Sequence, residues 1–114
     1  MRMFCVARKF TKTHEWIEYD TDTGLGQMGI TNYAQSELGD VVHIEFPEVG
    51  THFKTEDVIV CIESVKTAAD IEQMCEGDVT EINEDLENDV SLLNEDPEGK
   101  GWILKFKTDK LDFD

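Results

Sequence analysis

Apolar and polar positions alternate along most of the chain, and that period predicts strands. "HEWIEYD" (14–20) sets Trp16 and Glu18 on one face against Ile17 and Tyr19 on the other. "VVHIEF" (41–46) sets Val42, Ile44 and Phe46 opposite Val41, His43 and Glu45, and "WILKFK" (102–107) sets Trp102, Leu104 and Phe106 opposite Lys105 and Lys107. Such alternation suits a sheet with one wet face. "DVIVCIESV" (57–65) is apolar on both faces for much of its length and is expected to be a central, sandwiched strand.

Helical signals are short. Thr31 is placed to cap "NYAQSEL", and Gly39 to close it with a left-handed residue. "DVSLLNEDP" is a weaker second helix, with Asp89 as cap and Pro97 as stop. Glycines at 24, 26, 29, 50, 77, 99 and 101 punctuate the rest. The pattern predicts a mainly β chain, a sandwich or barrel with small helices at its margin.

At 114 residues this is one module, with no apolar run near the roughly 18 residues of a membrane helix. The net charge of −16 is unevenly spread: residues 13–99 hold 23 of the 26 acids against only Lys54 and Lys66. That field repels nucleic acid and anionic lipid, favours partners with basic faces, and weakly favours a monomer. Residues 1–12 carry Arg2, Arg8, Lys9, Lys12 and no acid. Residues 1–10 are therefore expected to be a short organelle presequence or a flexible terminus ahead of a domain at 11–114. A presequence would address the chain to a mitochondrion or related organelle; without one it is cytoplasmic.

Cys5, Cys61 and Cys75 form no framework spacing, which points to a reducing compartment. Cys61 is expected to be a buried small hydrophobe and Cys75, beside Glu76 and Gly77, to be exposed. Neither is read as a nucleophile. His14, His43 and His52 lack zinc spacing and no metal site is expected, nor any nucleophile–base pair or phosphate loop. His43 is expected at the surface.

"ESVKTAAD" (63–70) contains Lys66, the only Lys or Arg between Lys54 and Lys100. With a strand before it and "AADIEQM" able to return as another, Val65, Lys66 and Thr67 fall at a hairpin tip. Small neighbours leave the amine open to a modifying enzyme; a merely solvated charge is the other reading these features allow.

From "KFTKTHEWI" to "GWILKFK" the chain resembles the H protein of the glycine cleavage system. The shared pieces are "HEW" at 14–16, "GITNYAQSELGDVV" at 29–42, "PEVGT" at 47–51, "ESVKTAADI" at 63–71 and "NEDPEGKGW" at 94–102. The resemblance implies a barrel-sandwich hybrid, a lipoyl-domain-like fold of two antiparallel sheets with a few short helices. It implies that Lys66 carries lipoate in amide linkage, with Glu63, Ser64 and Val65 as the attachment motif read by a lipoate-attaching enzyme. Val65 and Thr67 stand where biotin carriers usually have methionine.

The implied function is a non-catalytic shuttle that moves an aminomethyl group and reducing equivalents between three enzymes. These are a pyridoxal-phosphate glycine decarboxylase, a tetrahydrofolate-dependent aminomethyltransferase and a dihydrolipoyl dehydrogenase. The resemblance also implies a cleft that shelters the loaded arm, with Glu15 and Asp70 as polar partners, Thr13 where a serine assists and Tyr33 where some members have histidine. Two departures stand out. "EQMCEGD" replaces a Ser-Pro-x-Ser-Gly turn, leaving Gly77 to take a positive backbone angle, and the chain ends at "KLDFD" where relatives continue into a helix. A lipoyl carrier or lipoate donor for another pathway, and an unmodified acidic binding module, are the alternatives.

Overall fold

The computed structural model describes residues 6–20 and 22–108. The chain order is β1 (Val6–Phe10), β2 (Glu15–Asp20), β3 (Leu25–Ile30), α1 (Asn32–Leu38), β4 (Val41–Glu45), β5 (His52–Phe53), β6 (Val58–Ser64), β7 (Ala68–Glu72), β8 (Gly77–Ile82), α2 (Glu84–Asn88), α3 (Ser91–Glu95) and β9 (Leu104–Lys107). Six strands form one sheet in the order β1-β2-β3-β9-β8-β5, and β4-β6-β7 form the other. All pairings are antiparallel. Ile17, Met28, Leu104 and Phe106 of the larger sheet and Val60, Ile62 and Ile71 of the smaller one belong to a single buried cluster. The expected mainly β sandwich with short helices is what the chain forms.

Glycines let aromatic rings lie flat on the larger sheet. A Cβ at Gly26 would sit 2.4 Å from Phe106 Cζ, and one at Gly29 2.8 Å from Trp16 Nε1. Trp16 is thereby fully buried and donates from Nε1 to the Pro97 carbonyl at 2.9 Å. Its ring is also covered by the Arg8 guanidinium at 4.4 Å.

Several strand phases differ from the expected ones. A bulge between Val41 and His43 breaks the period, so Val41 and Ile44 are buried while Val42 is exposed. Strand β6 is central in its sheet, but only Val60 and Ile62 are sealed; Val58 is exposed and Cys61 half-buried. Trp102 precedes β9 and is covered by Lys105 Nζ at 4.8 Å, so Ile103, not Trp102, supplies the buried side chain there. The two cysteines exchange their expected places: Cys75 is buried and Cys61 is the more open. Gly77 lies within β8, and among the described residues only Gly24, Gly39 and Gly50 are glycines of positive φ. Gly77 is needed instead for close approach, since a Cβ there would meet the Lys107 carbonyl oxygen at 2.4 Å.

Helix α1 follows its caps. Thr31 Oγ1 accepts from Ala34 N–H at 3.1 Å, and Gly39 N–H closes the end on the Gln35 carbonyl. Gly39 has φ 77° and ψ −153°, an almost glycine-only conformation rather than the usual left-handed one. Helix α3 ends at Glu95, before Pro97, but its N-cap is Val90 rather than the expected Asp89, which closes α2 instead and receives Ser91 N–H at 3.1 Å and the Ser91 hydroxyl at 2.6 Å on Oδ1. Helix α2, of the same length as α3 and capped by Asn83, carries no strong periodic signal and was not anticipated. Strand β1 falls within residues 1–10 and pairs with β2 at five positions; residues 1–5 and Cys5 with them lie outside the described residues. No helix among the described residues is long and apolar enough to cross a membrane.

Candidate functional site: a lysine hairpin beside an acid-rimmed cleft

Strands β6 and β7 form a hairpin whose tip is Val65, Lys66 and Thr67. The tip is held by Ser64. Its Oγ accepts from Lys66 N–H at 3.2 Å and Thr67 N–H at 3.1 Å, and donates to the Thr67 carbonyl at 3.1 Å. Ser64 N–H adds a bond to the same carbonyl at 2.8 Å. A small hydroxyl at this position satisfies the turn's own donors, as Ser does in tight turns generally. Val65 N–H reaches outside the hairpin to the Asp40 carbonyl at 3.0 Å. Lys66 is exposed, and its Cε lies 3.5 Å from where a Gly39 Cβ would be, so the aliphatic stem rests over a bare glycine. Glu63 is exposed between His43 and Ala68 in the sheet register, and Val65 is exposed.

Beside this hairpin lies a cavity of about 240 Å³. Its lining includes all four residues expected at the cleft: Thr13, Glu15, Tyr33 and Asp70. Ile30, Ala34, Leu38, Ala69 and Ile71 make the wall apolar, and His14 and Glu37 complete it. Glu15 is buried at the start of β2, with Oε1 accepting from the Thr11 and Thr13 hydroxyls at 2.7 and 2.6 Å. Both hydroxyls come from the β1–β2 turn, which His14 closes at φ 68°; histidine tolerates that region better than most side chains. The imidazole of His14 packs on the Tyr33 ring, 4.5 Å between centroids.

Asp70 also lines the cavity, from the exposed phase of β7. In the register it pairs with Cys61, while its neighbours Ala69 and Ile71 face the core partners Ile62 and Val60. The Cys61 thiol is pushed up by burial first, then by its hydrogen bond to Asp70 and the negative charges of Asp70, Glu63 and Glu45. Glu37, which sequence reasoning did not single out, instead receives the Tyr33 hydroxyl at 3.1 Å. That hydrogen bond, together with the Glu37 charge and slight burial, raises the Tyr33 pKa. The Tyr33–Glu37 spacing of one helical turn was the signal available for finding it.

A larger depression of about 430 Å³ lies at the far end of β2 and β3, between Asp20, Leu25 and Lys105, and does not adjoin Lys66. No group of three or more His, Cys, Asp or Glu among the described residues is arranged to hold a metal ion.

The family model described as Glycine cleavage H-protein matches residues 8–113. The chain belongs to the glycine cleavage H-protein family. It is 46% identical to the glycine cleavage system H protein of Thermotoga maritima, over 88% of this chain and 79% of that one. An Acinetobacter baumannii H protein is 48% identical over 90% of this chain and 82% of its own. The crystal structure of an H protein from Mycobacterium marinum superposes with TM-score 0.87 at 31% identity, covering 93% of this chain and 87% of that one. The fold is thus that of an H-protein barrel-sandwich. The family's role is that of a non-catalytic, lipoyl-carrying shuttle in glycine cleavage, and the chain shares it.

Proposed function

We propose that Lys66 is the lipoate attachment point and that the neighbouring cleft shelters the loaded arm. The observation that carries this is the β6–β7 hairpin, whose tip bears the exposed lysine and whose β7 strand lines the acid-rimmed, apolar-walled cavity. The residues present fit the group: an open amine on a braced tip for the linkage, an apolar wall for the hydrocarbon, and a rim of carboxylates for a cationic end. When bound, lipoate supplies a redox disulfide on a tether, chemistry that the chain's own side chains do not offer.

The chain's own contributions are specific. Ser64 and the Asp40 carbonyl fix the tip so that the lysine is presented on a rigid support. Glu15 stays buried with two hydroxyl donors, a preformed acceptor for an ammonium group that can form a charge-assisted hydrogen bond. Ile30, Leu38 and Ile71 exclude water from the adjoining space. Tethering makes each encounter with a partner's site effectively intramolecular. We assign the partners as glycine decarboxylase, aminomethyltransferase, dihydrolipoyl dehydrogenase and a lipoate-attaching enzyme. The chain's negative field favours basic docking faces on each of them.

The test is the intact mass of protein isolated from its native cell, with peptide mapping of residues 55–100. One lipoyl adduct on Lys66 is expected. A bare Lys66 that a lipoate ligase also leaves unmodified in vitro overturns the proposal.

A further inference from the structure

The "NEDPEGKGW" stretch holds no group that reaches the cleft or the lysine directly, yet three of its residues grip the parts that do. Asn94, half-buried at the end of α3, donates from Nδ2 to the Gly39 carbonyl at 2.7 Å. Its Oδ1 accepts from Val41 N–H at 2.9 Å. One amide therefore clasps both sides of Asp40, the residue whose carbonyl receives Val65 N–H from the lysine tip at 3.0 Å. Glu98 Oε2 accepts from Asn32 N–H at 2.8 Å, which fixes the other end of α1. Pro97 contributes its carbonyl to the Trp16 indole.

Local geometry makes this clasp necessary. Helix α1 ends in a glycine at an angle few residues adopt, and β4 then begins beside a bulge, so the short link 39–41 has little regular hydrogen bonding of its own. Asn is the side chain that can satisfy a carbonyl and an N–H two residues apart at once, because it offers a donor and an acceptor in one plane. Removing it leaves both groups without their partner and frees the link on which the tip leans.

We infer that Asn94 is a positioning residue for Lys66: it holds the 39–41 link so that the Asp40 carbonyl fixes Val65, and this sets the pose in which the attaching enzyme meets the lysine. The inference rests on Lys66 being the modified residue. Asn94 touches neither Lys66 nor the cleft, and acts through three consecutive backbone positions.

The experiment uses the full-length unmodified chain with Asn94→Ala, Asn94→Asp and, as a control of matched stability loss, Ile103→Val in the core. Asn94→Asp keeps the acceptor for Val41 N–H and loses the donor to Gly39, so it remains informative if the alanine variant does not fold. Two readouts are taken: hydrogen exchange at the Val65 amide relative to Ile62, and kcat/KM for lipoylation of Lys66 by a lipoate ligase with ATP. Asn94→Ala is expected to speed Val65 exchange about tenfold relative to Ile62 and to lower kcat/KM about tenfold, with Asn94→Asp between it and wild type. Ile103→Val is expected to change neither ratio. Val65 exchange that tracks Ile62 in both Asn94 variants, or lipoylation as fast as in the Ile103→Val control, overturns the inference. Failure of the unaltered chain to accept lipoate counts against the proposed function instead, and the exchange ratio then still decides whether Asn94 holds the tip.

Discussion

The Tyr33 hydroxyl donates to Glu37 across one turn of α1, while Asp70, which also lines the cleft, lies on the exposed phase of β7 opposite Cys61. Glu15, Glu37 and Asp70 are the carboxylates that line the cavity, Asp70 from the outward phase of its strand. Glu37→Gln removes the charge and leaves at most a weaker, neutral acceptor for the Tyr33 hydroxyl, so the phenol should titrate at lower pH. Ultraviolet titration in a Tyr19→Phe background isolates that signal. In the lipoylated protein the same substitution should hasten ammonia loss from the loaded carrier by about tenfold, the worth of one charge-assisted hydrogen bond. Asp70→Asn should change it much less. A reversed order would mean that Asp70, not Glu37, holds the cationic end.

The cysteines give a second contrast. Burial pushes the Cys75 thiol up to about 11, offset only in part by a hydrogen bond with Thr108, whereas Cys61 is half-open on the outer face of its sheet. Alkylation needs a thiolate that reagent can reach. In a Cys5→Ser background at pH 8, peptide mapping should find Cys61 labelled at least tenfold faster than Cys75. Cys75 should react only as the protein opens, its rate rising with urea. Equal labelling without urea would contradict the burial described.

These two cysteines also show what the sequence could and could not convey. Cys61 sits in an apolar run, which reads as buried, but a strand in a three-stranded sheet has one face toward the core and one away from it, and Cys61 faces away. Cys75 sits beside charges, yet just ahead of β8 its side chain joins the buried core cluster. The same limit applies at Val42. Its alternation was legible, but a single bulged residue, invisible in composition, moved it to solvent. Caps such as Thr31 and Gly39 were legible because their chemistry is local. Lys66 and Glu15 were singled out through the family motifs, while the contacts of Glu37 with Tyr33 and of Asn94 with residues 39 and 41 needed the fold, since packing brings those partners near.

His52 supplies a pH-dependent contact. Its Nδ1 lies 2.9 Å from Asp78 Oδ1 and its Nε2 2.9 Å from Glu76 Oε2, and these hydrogen bonds, with the two carboxylate charges, raise its pKa above the usual value against the opposing effect of burial. A raised folded-state pKa means that the folded chain binds the proton more tightly than the unfolded one. The contribution is thus complete below the unfolded value of about 6.5 and is lost as pH rises through the folded midpoint. The urea midpoint of wild type should exceed that of His52→Gln at pH 6, and the gap should close as pH rises beyond the His52 midpoint read by NMR. Because all three groups are largely exposed, added salt should shrink the gap at pH 6. A gap that widens with pH would exclude this origin.

The start of the chain can be tested by truncation. Residues 1–10 have the composition of a presequence, but Val6–Phe10 pairs along β2. Within it Arg8 covers the Trp16 ring, pairs with Glu18 and donates to the Glu98 carbonyl at 3.2 Å. A chain of residues 6–114, which keeps β1, serves as the reference. A chain of residues 11–114 should melt lower, because it gives up five strand pairings and bares the edge of β2, and a loss of only about 1 kcal/mol already lowers Tm by about 4 °C or more in a domain of this size. The bared edge should also make the shorter chain more prone to self-association, visible by light scattering at the same concentration. Equal melting of the two truncated chains would show that β1 carries no weight, and a mature protein starting near residue 11 would then keep its full stability.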